Sequence, residues 1–137
     1  MRPEGRHFAN LRTLLTTYML TVPGIGGAGT KLRAVWPFVL ITVIPSGGDN
    51  YVWSRQIVDI EVFHADYPAA ADFSRLVHDH MMRLRHSYVG GEPGAGGVPI
   101  SDVTTINGFG DLDYEDDTVH RFIAEYEIES IANAQPL

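Results

Sequence analysis

The most suggestive spacing in the chain is the glycine-rich run Gly24-Ile25-Gly26-Gly27-Ala28-Gly29, which matches the dinucleotide-binding pattern G-x-G-x-x-G letter for letter. That pattern binds a pyrophosphate because a strand leads into it and the N-terminus of a helix follows it. Here a helical pattern leads in, and only the residues 30–36 separate the run from Pro37. The order Gly-Thr-Lys at 29–31 also differs from a Walker loop, in which lysine precedes the hydroxyl residue. We therefore interpret the run as a flexible glycine loop.

Six histidines raise the question of a metal site. His78 and His80 flank Asp79, but residues two apart on a helix point to different sides. His80 falls on a predicted apolar stripe, which favours a packed, hydrogen-bonded core histidine. His64 lies at a predicted strand end, and nothing in the spacing pairs it with His80. The sequence therefore predicts no metal centre.

Carboxylates alternate along the segment 111–117, as they do in calcium loops. An EF-hand loop needs glycine at its sixth position and glutamate at its twelfth, whereas this chain has Asp116 and Phe122 there. A looser calcium site and a solvated acidic loop both stay open. No serine lies in a G-x-S-x-G elbow, and no nucleophile, base and orienting group come together. We predict no catalytic residue, no cofactor and no enzyme activity.

Composition favours one folded domain over residues 1–137, with flexible ends at about 1–7 and 131–137. Hydrophobic residues make up 45% of the chain, which suits an ordinary core. The lack of cysteine excludes disulfides, thiolate metal sites and cysteine nucleophiles. Lys and Arg number 10 against 17 Asp and Glu, and the net charge of -7 disfavours binding to nucleic acid. The longest apolar stretch, at 37–45, is too short to cross a membrane.

Hydrophobic periodicity predicts six elements in the order α-β-β-α-β-β. The first helix covers Phe8 to Leu20, where apolar residues recur at helical spacing. A nearly continuous apolar run at 37–45 and an alternating run at 54–64 predict a hairpin. Two later strands are expected at 98–106 and 119–130.

The second helix is expected to begin with Asp66 as its cap and with Pro68 in its first turn, and to end at Gly90. Its inward stripe is predicted to contain Ala69, Phe73, Leu76, Val77, His80 and Leu84. The prediction is a single α+β domain, with a mostly antiparallel four-stranded sheet and both helices on one face.

Acidic residues concentrate on one side of two predicted strands. Alternation places Asp59 and Glu61 outward on the second strand, and it places Glu125, Glu127 and Glu129 outward on the fourth. If the two strands are neighbours, like charges crowd one face of the sheet and cost stability. A well-solvated face and a surface that must not adhere to DNA are the two interpretations.

Several segments together resemble a known family. They are the run Val58-Asp59-Ile60-Glu61-Val62-Phe63-His64-Ala65-Asp66 leading into a helix, Ala69-Ala70-Ala71 near the start of that helix, Met82-Arg83-Leu84-Arg85 at its end, and Arg121-Phe122-Ile123-Ala124-Glu125-Tyr126-Glu127-Ile128 as a final strand. In this layout, over roughly residues 8 to 130, the chain is similar to the tail terminator (tail completion) proteins of siphophages that infect actinobacteria.

The resemblance implies a small α+β virion protein that is not an enzyme. Such proteins form a hexameric ring that caps the tail tube, stops its polymerisation and docks to the head-side connector or stopper protein. Their partners are further copies of themselves, the major tail tube protein and that connector, and DNA is only passing cargo in the lumen. The expected place is the tail–neck junction of the virion, after assembly in the host cytoplasm. No membrane is involved.

The acidic strand face would then line the lumen, with Asp59, Glu61, Glu125, Glu127 and Glu129 as its residues. Candidate contact loops carry Gly24, Gly26, Lys31, Gly48, Asp49, Gly94 and Gly96. Two alternatives stay open. One is a head-completion or stopper protein of the neck. The other is a small α+β ligand-binding or enzymatic domain that uses the histidine-bearing helix.

Overall fold

The computed structural model describes residues 6–7, 11–44, 53–85, 87–89, 98–131 and 133–134. Within these ranges the chain is α+β, with two helices and eight strands. In chain order they are β1 Arg6–His7, α1 Leu11–Met19, β2 Gly27–Gly29, β3 Phe38–Ile44, β4 Trp53–His64, α2 Tyr67–Met82, β5 Ser87–Val89, β6 Val98–Leu112, β7 His120–Ile131 and β8 Asn133–Ala134. No helix in the described ranges is long and apolar enough to span a membrane.

One mixed sheet contains six of the strands, in the order β2-β3-β4-β7-β6-β5. β2 runs parallel to β3, and every other neighbouring pair is antiparallel. β1 and β8 form a separate two-stranded pair. The expected four-stranded sheet in the order α-β-β-α-β-β is therefore wrong. The missed strands have only two or three residues, too few for side-chain alternation to register, and backbone pairing with another strand defines them.

The glycine run between α1 and β3 is in part a strand, which corrects the expected flexible loop. Gly27–Gly29 pairs with Phe38–Leu40 at the edge of the sheet. The N–H of Gly26 donates to the carbonyl oxygen of Pro37 at 2.8 Å. A Cβ at Gly26 would lie 2.7 Å from the carbonyl oxygen of Trp36. Glycine is needed here because two backbones approach closely, and this packing role accounts for the motif without a phosphate ligand.

Both helices pack on the same face of the sheet. Alternate residues of β3, β4 and β7 line up across the strands in three buried rows: Val39–Val62–Phe122, Ile41–Ile60–Ala124 and Val43–Val58–Tyr126. The helices cover these rows with Leu11, Leu15 and Met19 from α1 and with Ala70, Phe73, Val77 and Met81 from α2. The intervening residues of the same strands point to the other side of the sheet.

The second helix begins as expected and ends earlier than expected. A side-chain oxygen of Asp66 accepts from the N–H of Ala69 at 3.0 Å, which caps the first turn. The helix ends at Met82, and β5 follows before the predicted stop at Gly90. Leu76 was placed on the inward stripe, but 47% of its surface is exposed, since the buried stripe is rotated towards Ala70, Ser74 and Met81.

Strand β6 is longer than predicted and takes in about half of the acidic segment expected as a loop from Asn107 to Asp117. It continues through Asn107 to Leu112, opposite β7. Its register shifts between Ile100 and Asp102, and twice more between Thr105 and Gly110. Such bulges interrupt strict alternation, and strand glycines often mark them. This explains why periodicity ended the strand at Ile106.

Candidate functional site: the acidic face of the sheet

All five candidate acidic residues lie on the side of the sheet opposite the helices. We call this set the acidic face; it consists of Asp59 and Glu61 on β4 and of Glu125, Glu127 and Glu129 on β7. The two strands are direct neighbours, so the condition for crowding of like charges on one face is met. Asp59 stands directly opposite Glu125 in the register. The remaining three acids stand opposite non-acidic residues, which are Ile123, Ile57 and Arg55.

Glu129, at one end of the acidic face, has its charge compensated. The Nε of Arg55 donates to Oε2 of Glu129 at 2.9 Å, and the hydroxyl of Ser101 donates to Oε1 at 2.7 Å. The hydrogen bond from Ser101 and then that from Arg55 hold the pKa of Glu129 below its ordinary value. This carboxylate is therefore committed to a structural network that joins β4, β6 and β7.

Glu61, at the other end, is compensated by Arg121, whose Nη1 lies 3.6 Å from Oε2 of Glu61. Burial raises the pKa of Glu61, and the charge of Arg121 opposes that rise. The guanidinium of Arg121 also lies 5.6 Å from the ring centroid of Tyr114 and donates to the carbonyl oxygen of Asp113 at 3.1 Å. The ring of Tyr114 meets that of Phe63 edge-on at 5.3 Å. This end of the face is covered by the segment that follows β6.

The middle of the acidic face is less compensated than its ends. Among the described residues, no cationic side chain forms an ion pair with Asp59 or Glu125, whereas the charge of Glu127 acts on Arg55 and helps to raise the pKa of that guanidinium. The amide of Asn107 donates to Oε1 of Glu125 at the long distance of 3.4 Å. Burial raises the pKa of Asp59, and a hydrogen bond with Glu125 and the charges of Glu125 and Glu61 raise it further. Asp59 and Glu125 therefore bring two acidic groups together without an ion pair from the described residues.

The histidine side chains that the structure describes, those of His64, His78, His80 and His120, all contact other side chains or backbone groups. His80 lies between the helices, where its ring stacks on that of Tyr18 at 4.3 Å and its Nε2 is 2.7 Å from the hydroxyl of Thr21. His64 stands opposite His120 at the ends of their strands, but its Nδ1 accepts from the N–H of Asp66. In the described ranges, no three His, Cys, Asp or Glu side chains are grouped so as to hold a metal ion.

His78 lies beside a groove between α2 and β6. Its Nδ1 and the hydroxyl of Tyr126 share a hydrogen bond of 2.7 Å. Burial raises the pKa of Tyr126. The groove has a volume of about 440 Å³, and Phe109 and Phe122 form its apolar wall. The hydroxyl of Ser74, which also lines the groove, is buried and donates to the carbonyl oxygen of Ala70.

The candidate contact loops are only partly described. Gly24 lies in the exposed turn after α1, where its φ of 83° favours glycine. Lys31 is exposed after β2, whereas Gly26 is tied to the backbone of β3. The other four candidates, Gly48, Asp49, Gly94 and Gly96, lie outside the described residues. In the segment 111–117, Asp116 accepts from both the N–H and the hydroxyl of Thr118, so its oxygen serves a local turn.

The alternation pattern predicted the acids of this face but not the side chains that form ion pairs and hydrogen bonds with them. Arg55, Ser101 and Arg121 come from three different strands and are joined to the acids by cross-strand register. Arg55 shares the alternation parity of Asp59 on its predicted strand, and Arg121 was predicted to face outward together with Glu125, Glu127 and Glu129; this parity was the available signal. Nothing local to Ser101 indicated a partner.

No protein-family model matches this chain, and no curated protein matches it.

Proposed function

We propose that this protein is a tail terminator, whose copies form a ring that caps the tail tube, stops its polymerisation and joins the tail to the head-side connector. The observation that carries the proposal is the acidic face. Helices cover one side of the sheet, and five carboxylates occupy the other, with Asp59 directly opposite Glu125 at the centre. The resemblance of residues 8 to 130 to tail terminators supports the same assignment.

A ring through which a genome passes must not hold that genome. Duplex DNA carries one negative charge per roughly 1.7 Å of axis, so a lining of carboxylates repels it at every point. Salt screens this repulsion over about 8 Å at physiological ionic strength, which limits it to the lining of a narrow lumen. We therefore place the acidic face on the lumen, with the helical layer turned outward.

The tube-capping activity has a direct test. Purified protein is added to polymerising tail tube subunits, and tube length and end structure are measured by negative-stain electron microscopy. We expect a ring of density at one tube end and a set tube length, since a cap blocks further addition. Tubes that grow without limit and carry bare ends at saturating protein would refute the proposal.

The same preparation distinguishes a tail terminator from a stopper protein of the neck. A stopper protein binds the head-side connector and leaves tube growth unchanged, whereas a terminator arrests growth in the absence of any head component. A monomer that binds a small molecule in the groove beside His78 and has no effect on tubes would point to the ligand-binding alternative.

A further inference from the structure

Charge is distributed very unevenly along this chain. None of the 17 acidic residues lies between Leu11 and Ile44, a stretch that carries Arg12, Lys31 and Arg33. The segment 111–117, which we call the acidic loop, carries five carboxylates in seven residues and no basic residue. In a chain of net charge -7, the acid-free stretch is therefore the part best suited to bind an acidic partner.

The acid-free stretch forms one edge of the molecule. β2 is the terminal strand of the sheet, and α1 packs beside it. A groove of about 420 Å³ separates them, lined by Arg12, Thr13, Thr16, Thr17, Gly29 and Thr30. Lys31 follows directly, and the guanidinium of Arg33 lies 5.5 Å from the ring centroid of Phe38. We call Arg12, Thr17, Thr30 and Lys31 the basic edge; all four are exposed, and cations and hydroxyls are donors for carboxylates.

The acidic loop is held in a fixed position with its carboxylates outward. Arg121 binds the carbonyl oxygen of Asp113 and lies against Tyr114, whose ring packs on Phe63. The side chains of Asp113, Glu115 and Asp117 are exposed, and no described cation pairs with them. A loop that is already ordered loses little conformational entropy when it binds.

The two surfaces do not neutralise each other within one copy. The acidic loop joins β6 to β7, which lie four and three strands away from β2. At about 4.8 Å per strand, that separation is roughly 14–19 Å. Among the described residues, no ion pair joins the acidic loop to the basic edge.

We propose that the acidic loop of one copy docks against the basic edge of the next copy. Because the two surfaces differ, the contact is heterologous, and repeated contacts of that kind close into a ring when the rotation between copies permits. The ring geometry rests on the proposed function, but the pairing of the two surfaces does not. Three basic residues on a chain of this net charge are too few to favour a nucleic acid as the occupant.

Charge swaps test the contact. The first variant carries Arg12→Glu with Lys31→Glu, and the second carries Asp113→Lys with Glu115→Lys. Self-association is measured by sedimentation velocity of the free protein and as rings on tail tubes, both at low salt. Each variant alone should weaken association about 10-fold, and added salt should weaken the wild type in the same direction.

The combinations make the test specific. A mixture of the two variants should recover rings with an even number of copies, because in alternating copies each native surface meets a native one and each swapped surface meets a swapped one. A single chain with all four substitutions should recover rings, because the swapped charges complement each other again. Arg75→Glu with Arg85→Glu is the matched control, since it changes net charge equally on α2 and just after it; its association should exceed that of the basic-edge variant. Thermal unfolding of every variant checks that the fold is intact.

Failure of this contact is distinguishable from failure of the proposed function. Capped tubes that ignore the swaps would overturn the contact and leave the terminator assignment standing. If the swaps alter self-association but the tubes grow without limit and have bare ends, the contact stands and the terminator assignment is refuted. A wild type that does not associate in either assay, or a four-fold variant that fails to recover, would overturn the contact.

Discussion

Asp59 and Glu125 face each other across two hydrogen-bonded strands, and this opposition of like charges has a measurable cost. The folded state raises the pKa of Asp59 above 3.8, first through burial and then through Glu125. Between the ordinary pKa and the raised pKa, the folded protein therefore binds more protons than the unfolded chain. Its stability therefore falls as pH rises through the raised pKa.

Asp59→Asn should remove this penalty. We expect the free energy of unfolding to rise by about 0.5 kcal/mol at pH 7 and to change less below the ordinary pKa of 3.8, because a carboxyl with a raised pKa is mostly protonated there. Urea unfolding under both conditions measures the difference. Asp117→Asn, in the exposed acidic loop, serves as the control and should have little effect. A loss of stability at pH 7 in Asp59→Asn would contradict the account of like-charge crowding.

His80 provides a second residue-scale test because its tautomer follows from geometry. The hydroxyl of Thr21 donates to the carbonyl oxygen of Tyr18 at 2.6 Å, so it accepts from Nε2 of His80. Burial lowers the pKa of His80 from 6.5, and the charge of Arg83 lowers it further. The unfolded chain then binds the extra proton first, so this contribution to stability is lost as pH falls from above 6.5 towards the lowered pKa.

His80→Gln keeps a side-chain N–H donor but cannot take up the proton. We expect wild-type stability to fall between pH 7.5 and 5.5 by more than that of the variant, as measured by urea unfolding. His120→Gln, at the start of β7, is the comparison for a histidine outside the helix–helix contact. Equal pH dependence in wild type and His80→Gln would show that His80 does not contribute.

At the scale of elements, the junction between β2 and β3 depends on Gly26. A methyl group there would meet the carbonyl oxygen of Trp36 at 2.7 Å, and backbone cannot move aside without disturbing the strand pairing. Gly26→Ala should therefore destabilise the protein by about 2 kcal/mol. Gly29→Ala, three residues on, has its nearest neighbour at 3.8 Å and should cost less than about 0.5 kcal/mol. Thermal unfolding compares the two, and equal midpoints would contradict the close-approach argument.

Elements also differ in how far the sequence predicted them. Alternation along β4 and β7 and the cap at Asp66 were correct because they depend on neighbours only a few residues away. The sequence did not predict β2, β5 or the continuation of β6 beyond Ile106. These segments are strands because a longer neighbour supplies backbone partners, and their own glycines and bulges conceal the period.

For the whole molecule, the proposed lumen role predicts an effect of charge on genome passage. Glu125→Lys with Glu127→Lys converts the centre of the acidic face into a site that attracts phosphates. Glu129 is left unchanged, because Arg55 and Ser101 hold it in the sheet. In phage assembled with this variant, we expect slower genome ejection in a dye-release assay.

The control for that experiment is Asp72→Lys with Asp79→Lys, which changes net charge equally on the exposed side of α2. It should leave the ejection rate unchanged. If the acidic-face variant ejects at the wild-type rate in particles of normal number and tail length, the face does not line the channel.

The sequence by itself determined which residues alternate outward on β4 and β7, where α2 begins, and that no cysteine chemistry is available, because periodicity, capping and composition are local properties of the chain. Tertiary structure decided the rest of the acidic face. It brought Asp59 opposite Glu125, and it placed Arg121 beside Glu61 and Arg55 beside Glu129. The register between β4 and β7 is set by backbone hydrogen bonds between residues more than fifty positions apart, and no local pattern encodes which of those residues meet.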